Sequence, residues 1–259
     1  MKRFDKLAAS RLAPAFVPIL VLVAWQLLGQ LGYISTRTLP TPLKVAEAGV
    51  SLVRTGDIFL HIWDSTRRAF VGLAIGGGVG FALGLLNGMS SAANRLLDST
   101  LQMIRNVPHL ALIPLVIIWF GIDETAKIFL VALGVFFPIY INTLHGIRSI
   151  DPGLIEMAKV YGLKGFALYR EVVLPGAVSS ILVGLRYALG FMWLTLIVAE
   201  TISANSGIGY MAMNAREFMR IDIVVFAILL YAALGKLSDS AAKWLEGRLL
   251  QWNPNYMKR

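Results

Sequence analysis

The residues with the most distinctive spacing lie between positions 151 and 175, in the sequence DPGLIEMAKVYGLKGFALYREVVLP. Asp151 followed by Pro152 is typical of a helix start, because the carboxylate can accept from free amide groups and proline presets φ. Gly162 is typical of a helix end, since glycine adopts the left-handed conformation without a Cβ penalty. The residues between them form an apolar face at helical spacing, made of Leu154, Ile155, Ala158 and Tyr161. We therefore predict a short amphipathic hairpin outside the bilayer, with Pro175 restarting the chain at the next apolar segment. Such a hairpin can bind another protein or lie on lipid headgroups.

Ionisable residues inside apolar segments are the second group of candidates, because charge in a membrane is costly without a function. Arg186 could attract an anion such as a sulfonate, or it could snorkel or pair with a backbone carbonyl. Glu200 is expected to pair with Arg216 or to act as a gate element. Polar and aromatic side chains in the same segments could line a translocation path or could be packing and interface anchors: Trp119, Tyr140, Asn142, Trp193 and Thr195.

Several chemistries lack the residues they need. The chain has no cysteine, which excludes a disulfide framework and a thiolate metal site, and its three histidines are far apart in sequence. No G-x4-G-K-[ST] sequence occurs, so the chain does not hydrolyse ATP by a P-loop. We predict no cofactor and no metal, and the absence of clustered catalytic residues disfavours a membrane-embedded enzyme.

The composition is that of a membrane protein. Of the 259 residues, 57% are hydrophobic and only 15% are charged, and mean hydropathy is +0.68. The net charge of +9 would suggest nucleic acid as a partner of a soluble protein. In this chain the basic residues follow the topology of the spans instead, so no nucleic-acid partner is expected.

Apolar runs predict an all-α membrane protein with six transmembrane helices, at about residues 12–32, 68–89, 107–121, 126–145, 176–199 and 223–241. Glycines recur every four residues from Gly72 to Gly88 and predict a face that another helix approaches closely. Pro108 and Pro114 predict a kinked or interrupted third span that faces protein or a cavity.

The spans divide the chain into three parts. Residues 1–66 are expected to hold an N-terminal tail, the first transmembrane helix and an outer connector. Residues 67–250 are expected to form the core transmembrane domain with a cytoplasmic loop at 148–175, and residues 251–259 a cytoplasmic tail. Most of the 24 Lys and Arg residues then lie inside, which predicts cytoplasmic termini in a bacterial inner membrane, although Arg67 and Arg68 fit poorly at an outer boundary.

The spacing of the 151–175 segment resembles the coupling-loop signature of ABC-importer permeases, E-A-A-x3-G-x9-I-x-L-P. The matching positions are Glu156, Ala158, Gly162, Leu174 and Pro175, while Met157 and Val172 depart from the signature. Two further segments resemble the permease branch that imports sulfonates, taurine, nitrate and related small solutes: RNVPHLALIPLVIIWFGIDETAKIF and AETISANSGIGYMAMNAREF. Within that branch the chain most resembles aliphatic sulfonate permeases.

The resemblance implies a type I ABC importer permease fold and a homodimer that works with two copies of an ATP-binding subunit and a periplasmic solute-binding protein. The residues implied in coupling to the ATPase are Asp151, Glu156, Met157, Ala158, Tyr161, Gly162, Leu174 and Pro175. The implied substrate is an aliphatic sulfonate. Taurine, nitrate or another small solute is the alternative, and an ion-coupled secondary transporter is a further one.

Overall fold

A computed structural model describes residues 13–252. The basic N-terminal residues and the part of the predicted tail beyond residue 252 lie outside the described residues. Within them the chain forms only helices: α1 (Ala13–Gln30), α2 (Pro42–Thr55), α3 (Asp57–Met89), α4 (Ser91–Arg105), a 3₁₀-helix (His109–Leu112), α5 (Ile113–Phe120), α6 (Glu124–Arg148), α7 (Pro152–Val160), α8 (Gly165–Leu168), a π turn (Tyr169–Val173), α9 (Leu174–Ser203), α10 (Ile208–Glu217) and α11 (Ile221–Leu249).

The centre of the fold is the contact between α3 and α6, and the glycines of α3 make it possible. A Cβ at Gly80 would lie 2.6 Å from the carbonyl oxygen of Phe136, and one at Gly72 would lie 2.5 Å from Val131 Cγ1. At Gly76 the added Cβ would collide with the backbone of Ala132. Because no side chain separates the two backbones, the predicted close approach of another helix along this glycine face is confirmed.

Helix α9 packs on the other side of α6 by the same means. A Cβ at Gly184 would lie 2.9 Å from the Pro138 carbonyl oxygen, and one at Gly146 would lie 3.0 Å from the Ala177 carbonyl oxygen. The buried core cluster joins these helices to α10 and α11 and includes Trp193. Three helices in direct backbone contact therefore form the scaffold on which the shorter elements lie.

The all-α membrane fold is confirmed over the described residues, while the count of six spans is approximate. Four segments are long and apolar enough to cross a membrane: α3, α6, residues 165–202 and α11. A fifth span is counted if α4 and the helical pair after it are taken together, but these are bent by 79°. The described apolar part of α1, Phe16–Gln30, is shorter than a typical span.

The start of the second span and the region before the third differ from the prediction. Helix α3 begins at Asp57, so only the last ten residues of the expected connector, 57–66, are continuous with the second span, and α2 before them is a separate helix. Helix α4, which the apolar runs did not indicate, is capped by Ser90, whose Oγ accepts from the Ala93 amide at 3.2 Å. The chain then breaks before Pro108, as the prolines predicted, while Pro114 lies in the first turn of α5 where proline is tolerated.

Pro175 lies in the first turn of α9, as predicted, but the chain has no break before it. Residues 165–202 form one helical segment, and the π turn at Tyr169–Val173 ends two residues before Pro175. Proline lacks an amide proton, and its ring clashes with the carbonyl four residues earlier, here that of Glu171. That carbonyl lies within the π turn, whose wider i→i+5 pattern accommodates the proline without ending the helix.

Candidate functional site

The hairpin between α6 and α9 is fixed by capping at both ends of α7. Asp151 Oδ1 accepts from the Gly153 amide at 2.8 Å, which confirms the predicted helix start. Gly162 has φ +87°, and the Leu163 amide donates to the Ala158 carbonyl at 3.0 Å. The Gly162 amide donates to the Lys159 carbonyl at 3.0 Å, which completes a Schellman motif. The hairpin therefore requires a left-handed residue at 162.

The outer surface of the hairpin is apolar and has no partner among the described residues. Of the four residues predicted to share an apolar face, Ala158 is buried and Ile155 half-buried, but Leu154 and Tyr161 are exposed. Glu156 is exposed too. The exposed large apolar side chains of this surface are Leu154, Met157, Val160, Tyr161 and Phe166. An exposed apolar cluster bordered by charged residues is typical of a surface that binds another protein or a membrane.

The base of the hairpin is attached to three of the spans. Tyr169 OH donates to the carbonyl oxygen of Met89, at the end of α3, at 3.4 Å. Val173 is buried in a small cluster with Ile147 of α6 and Ala177 of α9. The hairpin is therefore joined to three spans by one hydrogen bond and by packed side chains.

The residues predicted to line a path do not share one surface. Trp119 is exposed on α5, whereas Trp193 is buried and its Nε1 donates to Ser238 Oγ at 2.8 Å. Arg186 Nε donates to Asp239 Oδ1 at 2.6 Å, so its partner is a carboxylate and not the backbone carbonyl that was considered. The described residues contain no group of three or more His, Asp or Glu arranged to hold a metal ion.

Glu200 lies in a buried polar cluster. Its carboxylate accepts from Ser65 Oγ at 2.8 and 2.9 Å, from Arg68 Nη1 at 2.7 Å, from the Gly209 amide at 2.9 Å and from Tyr231 OH at 2.8 Å. Its side chain is fully buried, with an exposed fraction of 0%. These donors come from α3, α10 and α11, so the carboxylate, which is on α9, joins four helices.

Arg68 extends this cluster to the start of α6. Its Nε and Nη2 donate to Glu124 at 2.8 and 2.7 Å, a bidentate pair, and its Nη1 donates to the Ser206 carbonyl at 2.6 Å. Lys127 Nζ lies 3.1 Å from the same glutamate. The arginine that fitted the topology poorly as an exposed charge is therefore buried and neutralised by two carboxylates.

The predicted pairing of Glu200 with Arg216 is wrong. Arg216 is exposed, and the contact that its Nη1 makes is to Met213 Sδ at 3.9 Å. Sequence reasoning did not include Ser65, Arg68 or Tyr231 among the functional residues. A serine and an arginine three residues apart on an apolar helix were the available signal, because buried charges in a span require a partner of opposite sign.

A cavity of about 340 Å³ lies among α4, α6 and α9. Four polar side chains line it, namely Arg105, His109, Asn142 and Tyr187. Asn142 is the one path candidate among its lining residues, and its Nδ2 donates to the Pro138 carbonyl at 2.8 Å. A hydrogen bond of 3.1 Å joins His109 Nε2 to Thr195 Oγ1, so Thr195 lies behind the cavity wall.

Comparison with known proteins shows which family the chain resembles over most of its length. Residues 72–251 match the family described as binding-protein-dependent transport system inner membrane component. SsuC of Escherichia coli (strain K12), which is named as an aliphatic sulfonates transport permease protein, is 61% identical over 246 residues, 95% of this chain and 94% of that protein. The protein of the same name from Bacillus subtilis (strain 168) is 44% identical over 93% of this chain and 87% of its own length.

A solved structure shares the fold at low sequence identity. A chain of an amino acid ABC transporter, crystallised with histidines, superimposes with a TM-score of 0.63 at 19% identity. The match covers 77% of this chain and 97% of that chain. The arrangement of helices is thus that of a type I ABC importer permease.

Proposed function

The chain belongs to the family of binding-protein-dependent transport system inner membrane components, and from this membership we propose that it carries aliphatic sulfonates into the cell. The observation that carries the proposal is the 61% identity to the aliphatic sulfonates permease SsuC of Escherichia coli over 95% of the chain.

We propose that the permease works as a homodimer with two copies of an ATP-binding subunit and one periplasmic solute-binding protein. The chain has no P-loop, so ATP hydrolysis belongs to the partner subunit. The exposed apolar surface of the hairpin, with Glu156 beside it, is the docking site for that subunit. ATP-driven closure of the two ATP-binding subunits would move the hairpin and, through Tyr169 and Val173, the spans.

The orientation follows from the same proposal. The hairpin faces the cytoplasm, where an ATPase can reach it, and the cluster around Glu200 lies at the opposite, periplasmic end. Both termini are then cytoplasmic, in agreement with the excess of Lys and Arg on that side. Membrane lipid surrounds the exposed apolar faces, and the function requires neither a cofactor nor nucleic acid.

The experiment that tests the proposal measures uptake by the whole transporter. Permease, ATP-binding subunit and solute-binding protein are reconstituted in liposomes, and ATP-dependent uptake of labelled hexanesulfonate, taurine and nitrate is compared. We expect uptake of hexanesulfonate, together with ATPase activity that rises when the loaded binding protein is added. Transport of taurine or nitrate in its place would contradict the substrate, and uptake driven by an ion gradient without ATP would contradict the importer class.

Substitutions at Gly162 test the docking role of the hairpin. Gly162→Val places a β-branched residue at φ +87°, which costs about 1–2 kcal/mol or more and distorts the turn after α7. We expect it to abolish uptake and binding-protein-stimulated ATPase activity. Gly162→Asn is the matched control, since asparagine tolerates the left-handed region, and it should retain most of the activity. Equal activity of the two variants would contradict the role of this turn.

A further inference from the structure

The cavity among α4, α6 and α9 has the features of a ligand site. Its volume of about 340 Å³ is sufficient for a small organic molecule, and its wall is mostly apolar with a few polar side chains. We propose that it binds the transported solute directly, as an amphiphilic anion with a charged head and a short alkyl tail. This inference rests on the proposed function and adds a solute site within the permease itself.

The charge of the wall selects an anion. Arg105 lines the cavity, and no acidic residue is among the described residues that line it. None of the ion pairs formed by the described residues includes Arg105. Its guanidinium, at the end of α4, is therefore available to a ligand, and its planar donors suit the oxygens of a sulfonate.

Two other arginines of the spans already have carboxylate partners. Arg186 is paired with Asp239 at 2.6 Å, and Arg68 is paired with Glu200 and Glu124, each at 2.7 Å. An anion entering beside these side chains would compete with a carboxylate for the same donors. Arg105 is therefore a better anion site than Arg186, the arginine that the sequence had suggested.

Further hydrogen-bonding groups lie on the same wall. Asn142 uses one of its two amide protons on the Pro138 carbonyl, which leaves the second for a ligand. His109 is held by its contact with Thr195, and Tyr187 brings a hydroxyl group. Three acceptor oxygens of a sulfonate can thus meet several donors in addition to the charge of Arg105.

The rest of the wall fits an alkyl chain. Leu112, Leu133, Phe137 and Phe191 line the cavity beside the polar groups. Burying each methylene group of a ligand against such a surface contributes to affinity through the hydrophobic effect. The site should therefore prefer longer alkanesulfonates to ethanesulfonate and should bind inorganic sulfate weakly, because sulfate has no tail.

Direct binding of hexanesulfonate tests the site. The permease is purified with its ATP-binding subunit in phosphatidylcholine nanodiscs, without the solute-binding protein, and binding of labelled hexanesulfonate is measured at equilibrium. We expect saturable binding that Arg105→Gln weakens by about tenfold or more, as expected for loss of a charged donor. Arg95→Gln, the same change at an exposed position of α4 outside the cavity wall, should change the dissociation constant by less than about twofold.

Three results with the purified complex, and a fourth with added anionic lipid, would overturn the site. The first three are the absence of saturable binding by the wild-type complex, unchanged binding by Arg105→Gln, and equal weakening by Arg95→Gln. Phosphatidylglycerol in the nanodiscs separates a solute site from a lipid site: displacement of hexanesulfonate by this anionic lipid would assign the cavity to lipid and contradict the proposal.

Uptake by the complete transporter is measured in parallel. Uptake without direct binding contradicts only the cavity site, whereas binding without uptake contradicts the proposed function.

Discussion

Glu200 is the residue at which α3, α9, α10 and α11 meet. A carboxylate that is fully buried is stable only if its charge is balanced and its lone pairs are satisfied, and here Arg68 supplies the charge. The Gly209 amide, near the start of α10, donates to the same carboxylate at 2.9 Å. A negative charge at this position also interacts favourably with the helix dipole of α10. The residue therefore holds α10 against the spans.

Replacing Glu200 by glutamine should destabilise the protein. The amide has nearly the shape of the carboxylate, but it removes the negative charge and places two donor protons among groups that already donate. Breaking one partner of a buried ion pair costs about 3–5 kcal/mol, and the remaining pairing of Arg68 with Glu124 should reduce this loss. We expect a clear fall in the unfolding temperature of the detergent-solubilised protein.

The matched control for this variant is Glu217→Gln at the exposed end of α10. The chemical change is the same, but the side chain is solvated and the free energy of unfolding should change by less than about 0.5 kcal/mol. If the two variants unfolded at the same temperature, the cluster around Glu200 would not contribute to stability in the way that its geometry indicates.

The difference between what the sequence predicted for Asp151 and for Glu200 comes from the range of the interactions. The cap at Asp151 and the turn at Gly162 involve neighbours within about five positions, so residue types alone predict them. The partner of Glu200, in contrast, is 132 positions away in the chain. Arg216, the nearer arginine, was the reasonable expectation from sequence, and only the fold brings Arg68 to the carboxylate.

Among the elements, α3 determines how closely the spans pack, and its glycines are not equivalent. A Cβ at Gly76 would collide with the backbone of Ala132, whereas one at Gly78 would have nothing within 4 Å. The glycines of the four-residue series face α6, while Gly78 points away from it. The same helix therefore offers a position where an added side chain should disrupt packing, Gly76, and a control position where it should not, Gly78.

Gly76→Ala should disrupt the packing of α3 on α6. Backbone atoms cannot move aside as a side chain can. The loss in the free energy of unfolding should therefore be at least about 2 kcal/mol, which is typical of overpacking. Gly78→Ala should be neutral or stabilising by up to about 1 kcal/mol, because alanine is the better helix former. Thermal unfolding in detergent, with yield from the membrane as a second readout, compares the two. Equal effects would contradict the packing described for this face.

Element boundaries were predicted less well than element types. Hydropathy located the apolar parts of α3, α6, α9 and α11, because burial in lipid or protein requires them to be apolar. It did not indicate α4, whose 15 residues are amphipathic and largely exposed. At Pro175 the usual rule for proline failed, since the preceding π turn accommodates the ring and the helix continues.

At the scale of the whole molecule, α9 connects the hairpin to the cluster at the other end. Leu174 is the first residue of α9, and Glu200 lies in its last turn, 26 positions further along. At 1.5 Å per residue this separation corresponds to about 39 Å of helix. The hydrocarbon core of a bilayer is about 30 Å thick. The hairpin and the Glu200 cluster must therefore lie at opposite membrane surfaces if α9 crosses the bilayer.

This separation can be tested with single cysteines, because the natural chain has none. Lys159→Cys on α7 and Glu217→Cys on α10 both replace exposed side chains, so each thiol should react wherever the reagent reaches it. We expect a membrane-impermeant maleimide to label Cys at 217 after the outer membrane of intact cells is opened, and Cys at 159 only in inverted vesicles. The wild-type chain is the control for background labelling. Labelling of both positions from one side would contradict a crossing by α9. The reverse pattern would place the hairpin in the periplasm, where no ATP-binding subunit could dock, so this single comparison tests the orientation on which the coupling proposal depends.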